Sequence, residues 1–240
     1  MKFTVAGAGL RCEHVNEVVR RAVLEASEVW ADTYTSPFPG GLVNCLKKIR
    51  EDVKEATRET LEGDFPFAGD VTLVVPGDPL AATTHSALLI EARKRGYEVK
   101  VISNVSALQA ARSKSGLSQY RFGRVVTLMF PADGISYTES VYLTIKDNDK
   151  LNLHTLVLLE TGHGRDMSAK EAAELLCDYE ELCERKVIAM ARLCWDDEKI
   201  VVAELESLRR ADLGPPPHLL VFPSPKLHPV EEEFLEKVLS

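Results

Sequence analysis

The chain has 240 residues, of which 45% are hydrophobic and 28% charged, and its formal net charge is −8 at pH 7. This balance is typical of a globular protein and excludes a disordered or fibrous chain. The length suits two domains of roughly 110–130 residues each. No apolar run approaches the ~20 residues of a transmembrane helix, and the acidic excess argues against a non-specific grip on nucleic acid.

The N-terminus and the cysteines predict a cytoplasmic protein. The segment from Met1 to Gly7 enters a predicted strand directly, without the charged and apolar regions of a signal peptide. Five cysteines stand at positions 12, 45, 177, 183 and 194, and none of them forms a CxxC pair. Because no secretory signal precedes them, we expect free thiols in a reducing cytoplasm.

Apolar runs and helical patterns alternate in the first half of the chain. The apolar runs predict strands at residues 3–6, 29–32, 71–75 and 99–102. The segments between and after them predict helices at residues 14–27, 41–54, 84–95 and 106–114. This succession implies a largely parallel sheet covered by helices, which is an α/β fold.

The second half of the chain also predicts a sheet, with strands at residues 125–129, 155–159, 187–192, 200–204 and 218–222. Helices are expected at residues 168–185 and 230–239. Because the strands 187–192 and 200–204 follow each other without a helix between them, we expect a mixed sheet here. The sequence therefore predicts two α/β domains, at residues 1–115 and 116–240.

The first segment with chemical information is GAGL at residues 7–10, between a buried strand and a helix. Glycines at such a place let the backbone turn sharply and let a ligand approach closely. A dinucleotide fingerprint would need a third glycine where this chain has Cys12, although Asp32 stands at a suitable distance for a ribose contact. The residues alone leave three readings open: a nicotinamide dinucleotide, another adenosine-type ligand, or a structural turn.

The second segment is VVPGDP at residues 74–79, followed by AATTH at residues 81–85. Asp78 lies just past the carboxyl end of a predicted buried strand, where open α/β sheets bind ligands. The alternative is that Asp78 only shapes a turn, since proline, glycine and aspartate are all turn formers. Thr83 or Thr84 is a candidate cap for the next helix, and His85 is expected to be a packed or capping residue.

Two further histidines, His154 and His218, stand at the starts of predicted strands, and each taken alone is expected to be structural. The six histidines are dispersed, and no pair of potential ligands has the spacing of a metal site, so no metal is predicted. The sequence also contains no nucleophile elbow and no P-loop. The residues by themselves therefore identify no catalytic side chain.

Seven stretches give the chain a specific resemblance, and they occur in the same order as in the proteins that it resembles. They are GAGL (7–10), ADTYTS (31–36), VPGDPLAATTH (75–85), NVSA (104–107), GLSQYRFG (116–123), HTLVLLE (154–160) and PPPHLLVFPSPKLHPVEEEFL (215–235). With these stretches the chain resembles the tetrapyrrole methylase superfamily. ATTH directly after GDP, with the HTLVLLE and PPH…LHPVE stretches, resembles one branch of it, the diphthine synthases.

The resemblance implies two α/β domains with S-adenosylmethionine bound as the methyl donor in the cleft between them, and a homodimer. No catalytic residue is carried over. The implied contacts to S-adenosylmethionine fall on Leu10, Asp78, Ala81, Ser106, Ala107, Leu159, Leu193 and His218.

The resemblance also implies a protein substrate, translation elongation factor 2. The acceptor would be the amino group of its aminocarboxypropyl-histidine intermediate in diphthamide biosynthesis, which is methylated repeatedly to a trimethylammonium group. Aromatic faces stabilise such a cation, and Tyr34, Tyr120 and Tyr137 are candidates by residue type. Because the resemblance extends beyond the cofactor loops, into GLSQYRFG and the LHPVEEEF tail, we expect a docking surface for a folded partner.

Three alternatives remain at this point. A methylase of a tetrapyrrole, such as a cobalamin precursor, would share the fold and the methyl donor. A dinucleotide-dependent oxidoreductase is the alternative from another class, and it is weakened by Cys12 at the place of the third glycine. A non-catalytic binding module would leave the set of ligand-loop motifs without a purpose.

The ligand class can be tested directly by thermal unfolding. We expect S-adenosylmethionine or its demethylated product to raise the melting temperature, and NAD and NADP to leave it unchanged. A ligand at 100 times its dissociation constant adds about 2.7 kcal/mol to the free energy of unfolding, which such a measurement resolves. Stabilisation by NAD alone would contradict the assignment.

Overall fold

The computed structural model describes residues 1–132, 134–162 and 164–239. The chain divides into two compact units, Met1–Ala107 and Leu108–Ser240, and each contains one five-stranded sheet with helices. The predicted α/β class is confirmed, while the domain limits 1–115 and 116–240 stay a prediction. Among the described residues, no helix has both the length and the apolar character needed to cross a membrane.

The first unit is built on a sheet in which every strand pair is parallel, in the order β3-β2-β4-β1-β5. Its strands are β1 (Lys2–Gly7), β2 (Glu28–Asp32), β3 (Lys54–Ala56), β4 (Val71–Val75) and β5 (Glu98–Ile102), and its helices are α1 (Glu17–Glu25), α2 (Leu42–Lys47), α3 (Arg58–Glu62) and α4 (Ser86–Lys94). Helix α5 (Ala107–Lys114) begins at the last residue of the first unit and continues in the second. The two central strands, β1 and β4, are almost entirely buried. Burial on both faces explains why they appear in the sequence as apolar runs.

Two helices of the first unit are shorter than predicted, for local reasons. Helix α1 begins only at Glu17, because the side chain of Asn16 accepts hydrogen bonds from the backbone N–H groups of Val18 and Val19, each 3.0 Å long. Such a cap fixes the start of a helix. The predicted helix 41–54 ends at Lys47.

Arg50 explains the early end of α2. Its guanidinium donates to the carbonyl oxygens of Ala26 and, at 3.1 Å, of Ser27, which follow the C-terminal end of α1. A cation at this place satisfies carbonyl groups that have no partner within a helix. The chain has to leave α2 to bring Arg50 there, and it then forms the short edge strand β3 and the helix α3, which the sequence analysis missed.

The sheet of the second unit is mixed, as predicted, and its strands lie in the order β6-β7-β10-β8-β9. Its strands are β6 (Val126–Leu128), β7 (Thr155–Leu159), β8 (Lys186–Ala191), β9 (Lys199–Glu204) and β10 (His218–Phe222), and its helices are α6 (Thr138–Lys150), α7 (Ala169–Leu176), α8 (Glu180–Cys183), α9 (Leu205–Leu208) and α10 (Pro229–Lys237). Strands β6 and β7 are parallel, and the other neighbours are antiparallel.

Two helices of the second unit differ from the prediction. Helix α6 was not predicted, although a parallel pair such as β6 and β7 requires a crossover connection of this kind. The predicted helix 168–185 is wrong, since it divides into α7 and α8. The break lets the ring of Tyr179 stack on that of Tyr142, with 4.2 Å between the ring centroids.

The cysteines correct the expectation of free thiols. Cys12 and Cys45 form a disulfide although 33 residues separate them, because the turn after β1 and helix α2 bring their Cα atoms to 5.7 Å. Cys177 and Cys183 form a second disulfide across the break between α7 and α8. Cys194 forms no disulfide with a described residue. The separation of 33 residues in the first pair leaves no spacing signal in the sequence.

A buried ion-pair network holds the second unit together. Glu231, in the first turn of α10, accepts from the guanidinium of Arg121 at 2.6 Å, and from the N–H groups of Ser118 and His228 at 2.8 Å. The imidazole Nε2 of His154 lies 3.1 Å from its other oxygen. The network joins the stretches GLSQYRFG, HTLVLLE and LHPVEEEF, and His154 has the structural role expected of it.

Burial by itself would raise the pKa of Glu231. The hydrogen bonds from His228 and Ser118, together with the charges of His154 and Arg121, outweigh burial and hold this pKa below its ordinary value of 4.5. The stabilising contribution of the carboxylate is therefore fully present above pH 4.5 and is lost as the pH falls through the lowered pKa.

We expect Glu231→Gln to lower the free energy of unfolding by about 3 kcal/mol, because it leaves the charge of Arg121 without its partner. Urea unfolding near neutral pH measures this change. Glu232→Gln is the matched control, since Glu232 is the exposed next residue, and it should change the stability by less than about 0.5 kcal/mol. Equal free energies of unfolding for the two variants would contradict a stabilising role of this network.

Candidate functional site

In the first unit, the glycine turn after β1 contacts the turn after β4. Gly9 donates its N–H to the carbonyl oxygen of Gly77 at 3.1 Å, and Gly77 donates back to Gly9 at 2.7 Å. Both residues have positive φ angles, 72° and 71°, which favour glycine. A Cβ atom on Gly9 would lie 2.4 Å from the Cβ of His14. Both conformation and close packing therefore require glycine at position 9.

The carboxylate of Asp78 links the turn after β4 to the segment after β5. One oxygen accepts from the N–H of Leu80 and the other from the N–H of Asn104, each at 3.1 Å. The side-chain amide of Asn104 in turn donates to the carbonyl oxygens of Gly7 and His14, each at 2.9 Å. Three loops are thereby tied together at the carboxyl edge of the sheet, where α/β proteins bind ligands.

The tied loops carry five of the residues implied as contacts to the methyl donor: Leu10, Asp78, Ala81, Ser106 and Ala107. Asp78 acts as a turn former through both of its oxygens, as the structural reading expected. A carboxylate has about four acceptor positions, so these two bonds leave capacity for a ligand. The structural and the ligand-binding readings of Asp78 are therefore compatible.

His14 supports the turn at Leu10. Its Nδ1 atom accepts the N–H of Leu10 at 3.1 Å, which requires this nitrogen to be unprotonated. Burial lowers the pKa of His14 below its ordinary value of 6.5, and the nearby charge of Arg11 acts in the same direction. The imidazole is therefore held in the neutral form that the turn needs.

Asp32 does not have the ribose-binding role considered for it. Its side chain is fully buried, and one oxygen accepts the N–H groups of Tyr34 and Thr35 at 2.9 Å. The other oxygen accepts the hydroxyl of Thr35 and lies 3.1 Å from Nε2 of His85. Although burial raises its pKa, these bonds outweigh burial and lower the pKa overall. Asp32 is thus an anchor of the loop after β2.

The helix after the Asp78 turn begins without a threonine cap. Its first flanking residue is His85, which caps no backbone group through its side chain. Thr83 instead donates its hydroxyl to the carbonyl oxygen of Pro79 at 2.8 Å, so the expected threonine cap is wrong for this residue. His85 is 2% exposed and bonded to Asp32, which confirms the packed reading.

In the second unit, the structure brings together the remaining implied contacts at one edge of its sheet. The antiparallel register that pairs Leu219 with Leu158 places His218 beside Leu159 at the end of β7. His218 also pairs with Ala191, the last residue of β8, and Leu193 follows two positions later. Each unit therefore gathers its own subset of the implied residues.

His218 has an unusual environment at this edge. It is 5% exposed, and its Nδ1 atom accepts the N–H of Ala169 at 2.9 Å, whereas Nε2 has no hydrogen-bond partner of good geometry in the described part of the chain. Burial lowers the pKa of His218, and the backbone of Pro215 opposes this only in part. A neutral imidazole with Nδ1 accepting carries its proton on Nε2. The edge thus offers a buried donor to a ligand.

Backbone strain lies next to the implied contacts in both units. Among the described non-glycine residues, the positive φ angles are those of Ala82 (57°), Asn152 (55°), Arg192 (52°) and Cys194 (67°). Ala82 follows Ala81, and Arg192 and Cys194 flank Leu193. Such conformations cost about 1–3 kcal/mol each and cluster at functional sites. The strain independently marks two of the segments singled out by the resemblance.

Neither sheet edge offers a cluster of three potential metal ligands among the described residues. The described residues contain one cluster of potential metal ligands, Cys177, Cys183 and Glu206. Its two cysteines are joined in a disulfide, which leaves no thiolate for a metal.

The two helix-covered sheets, with loops tied together at the carboxyl edge of the first, define a protein of the α/β class. The family model described as Tetrapyrrole (Corrin/Porphyrin) Methylases matches residues 2–209, and the chain belongs to this family. The diphthine synthase of Methanopyrus kandleri is 37% identical over 92% of this chain and 92% of its own length. That of Staphylothermus marinus is 35% identical over 97% and 91%.

A solved structure of a diphthine synthase has the same fold. It superimposes with a TM-score of 0.90 at 30% identity and covers 99% of this chain and 95% of its own. The predicted resemblance is confirmed, and this protein is a methyltransferase that uses S-adenosylmethionine. The oxidoreductase and the non-catalytic binding module have no support in these similarities.

Two residues of the site were missed from the sequence, His14 and Asn104. Asn104 stands at the head of the NVSA stretch, directly after a predicted strand, and an asparagine there is a recognisable loop brace. His14 gave no such signal, because its role depends on a turn of the chain between Gly9 and α1 that a linear pattern does not show.

The neutral state of His14 predicts a pH-dependent stability. Because its folded pKa is lowered, its contribution is present above pH 6.5 and is lost as the pH falls through the lowered pKa. We expect the difference in unfolding free energy between the native protein and His14→Ala to be larger at pH 7.5 than in acid. Urea unfolding across this pH range measures it, and a constant difference would contradict the role of Nδ1 as acceptor.

Proposed function

We propose that this protein is a diphthine synthase. It transfers methyl groups from S-adenosylmethionine to the amino group of the aminocarboxypropyl-histidine intermediate on translation elongation factor 2, in diphthamide biosynthesis, and repeats the transfer to a trimethylammonium group. The observation that carries the proposal is the similarity to curated diphthine synthases at 35% and 37% identity, over 97% and 92% of the chain.

Methyl transfer requires mainly that the acceptor nitrogen and the methyl group of the donor are aligned. S-adenosylmethionine, when bound, supplies a methyl group on a positively charged sulfur, which is already a good leaving group. The protein has to hold the acceptor nitrogen in line with it, and orientation alone can contribute about 7–11 kcal/mol. An α-amine titrates near ~8, so about a tenth of it is free base at neutral pH. A dedicated general base is therefore not required, and we assign none.

We propose that the donor contacts the eight residues that the resemblance implies. Asp78 would accept from polar hydrogens of the donor, and backbone groups of Leu10, Ser106 and Leu159 would contact its adenosine and methionine parts. His218 would donate from Nε2, the buried ring nitrogen without a partner of good geometry in the described chain. The donor would also contact Ala81, Ala107 and Leu193. The tied loops and the strained segments beside these residues support the assignment.

Of the tyrosines considered for the trimethylammonium product, Tyr120 has the most accessible ring, with 97% of the residue exposed. Tyr34 already lies under the guanidinium of Arg58, with 5.7 Å between cation and ring centroid, and donates its hydroxyl to Glu62. Tyr137 is half-buried at the start of α6. We therefore favour Tyr120 as the aromatic contact to the methylated acceptor.

We further propose that the protein works in the cytoplasm, as a homodimer and without nucleic acid. The location follows from a substrate that belongs to the translation machinery, and the acidic net charge disfavours nucleic acid. Light scattering coupled to size exclusion should give twice the 26.6 kDa mass of the chain. A mass of one chain at working concentration would contradict the dimer.

The acceptor is tested by incubating the protein with labelled S-adenosylmethionine and three substrates. We expect label on elongation factor 2 that carries the aminocarboxypropyl group and none on factor with an unmodified histidine. A precorrin-type tetrapyrrole is the third substrate, and equal or better turnover of it would replace the proposal by the tetrapyrrole alternative. Mapping the label to the modified histidine completes the test.

Docking of an acidic enzyme on a folded protein substrate should depend on salt. The chain has 37 acidic and 29 basic residues, so charge complementarity should speed the encounter more than the chemical step. We expect kcat/KM to change with ionic strength while kcat stays nearly constant. An unchanged kcat/KM would contradict electrostatic docking and would leave the assignment of the acceptor intact.

Asp78→Ala separates the two roles of this carboxylate. We expect the affinity for S-adenosylmethionine to fall by at least ~1.5 kcal/mol, as when a charge-assisted hydrogen bond is lost. Stability should fall as well, because the N–H groups of Leu80 and Asn104 lose their acceptor. Calorimetric titration of the folded variant measures the affinity, and loss of stability alone would leave Asp78 as a turn former.

A further inference from the structure

One pocket of the first unit lies away from the loops described above. It has a volume of about 140 Å³ and lies between α1 and the amino-terminal halves of β1, β4 and β5. Its lining includes Lys2, Thr4, Arg21, Asp70, Thr72 and Lys100. The volume is several times the ~30 Å³ of a water molecule in the liquid, so a phosphate-sized group has room.

The floor of the pocket is a polar row on a sheet face that is otherwise apolar. The parallel register pairs Thr4 with Thr72 on one side and with Lys100 on the other, so their side chains share one face. Two positions further along the same strands, this face carries Ala6, Val74 and Ile102, which pack in the core beneath α1. Parallel strands covered by helices are normally apolar throughout, so the polar row needs an explanation.

Several groups in this pocket have no partner. The side chains of Lys2, Arg21 and Lys100 make no ion pair with a carboxylate of the described chain. Thr4 is only 4% exposed, and its hydroxyl makes no hydrogen bond to a described residue. This oxygen is not sealed from solvent, since the buried side-chain nitrogens and oxygens without a partner in the described chain are Arg112 Nε and His218 Nε2. Three cations and one unpartnered hydroxyl thus line the same pocket.

The acidic side chains of the pocket do not cancel this charge. Asp70 accepts the backbone N–H of Lys2 at 2.8 Å, and Thr72 gives its hydroxyl to the carbonyl oxygen of Ala22 at 3.0 Å. Glu25 is exposed at the end of α1. The positive groups outnumber the negative ones, which favours an anionic ligand over a cation.

We propose that this pocket binds a small tetrahedral oxyanion of the phosphate class, as the free ion or as the phosphate group of a small metabolite. Arg21 and the two lysines supply the charge, and Thr4 donates its hydroxyl to one oxygen. Hydrogen bonds from arginine and lysine side chains to phosphate oxygens are among the stronger ones in proteins. The site is separate from the methyl-donor loops of this unit, since Thr4 precedes Gly7 by three residues, or about 10 Å of strand.

Calorimetric titration with inorganic phosphate, at constant ionic strength and against chloride, tests the proposal. We expect saturable binding at one site per chain. Thr4→Val, which removes the hydroxyl at nearly constant shape, and Arg21→Gln should each weaken binding roughly tenfold or more. Thr4→Ser should retain it. Ribose 5-phosphate, which carries no adenine, is the second titrant, and its binding in competition with phosphate identifies a carried phosphate group as an acceptable source.

Arg20→Gln is the matched control, because Arg20 is the neighbouring exposed arginine of α1 and does not line the pocket. It should bind phosphate like the native protein. The proposal is overturned if the native protein shows no saturable binding, or if Thr4→Val and Arg20→Gln bind equally. Competition by S-adenosylhomocysteine would place the phosphate in the methyl-donor site and would also overturn it. None of these measurements requires methyl transfer, so the result is independent of the proposed function.

Discussion

The side-chain amide of Asn104 donates to the carbonyl oxygens of Gly7 and His14, and the arrangement of loops at the carboxyl edge of the first sheet depends on these two bonds. Its backbone N–H is held by Asp78 at the same time. One short side chain thereby fixes the ends of three parallel strands relative to one another. Loops that are positioned in this way lose little further entropy when a ligand arrives, which is the advantage of preorganisation.

In the second unit, segments that are distant along the chain are joined by a buried charged group. The carboxylate of Glu231 collects Arg121, His154 and two backbone N–H groups in a place that is almost closed to water. The stretches that suggested a docking surface for a protein partner are the ones that meet here. Their resemblance to the diphthine synthases therefore reflects, at least in these side chains, the internal assembly of the unit. Tyr120, exposed between Gln119 and Arg121, is the part of the stretch that remains open to a partner.

The pattern of apolar residues predicted the fold class, because buried parallel strands are apolar runs and most connections are amphipathic helices. It failed where a contact distant along the chain decided the local structure. Arg50 ended α2 by turning toward the carbonyl groups after α1, and Tyr179 broke a helix by stacking on Tyr142. The disulfides belong to the same class of error. For the site, the motifs marked loops that the structure ties together by hydrogen bonds, but only the structure shows that Asp32 is enclosed by four of them.

The strand order of the first unit has a consequence for synthesis on the ribosome. Strand β1 is made first, yet its neighbours in the sheet are β4 and β5, so no strand can pair with it until residue 71 has been added. At ~5–20 residues per second the wait lasts several seconds. During that time β2 and β3 can already pair with each other, because they are adjacent in the sheet. A chain released before β4 is complete would expose β1, an apolar interior strand of its future sheet, which makes the first third of the message the most hazardous stretch to interrupt.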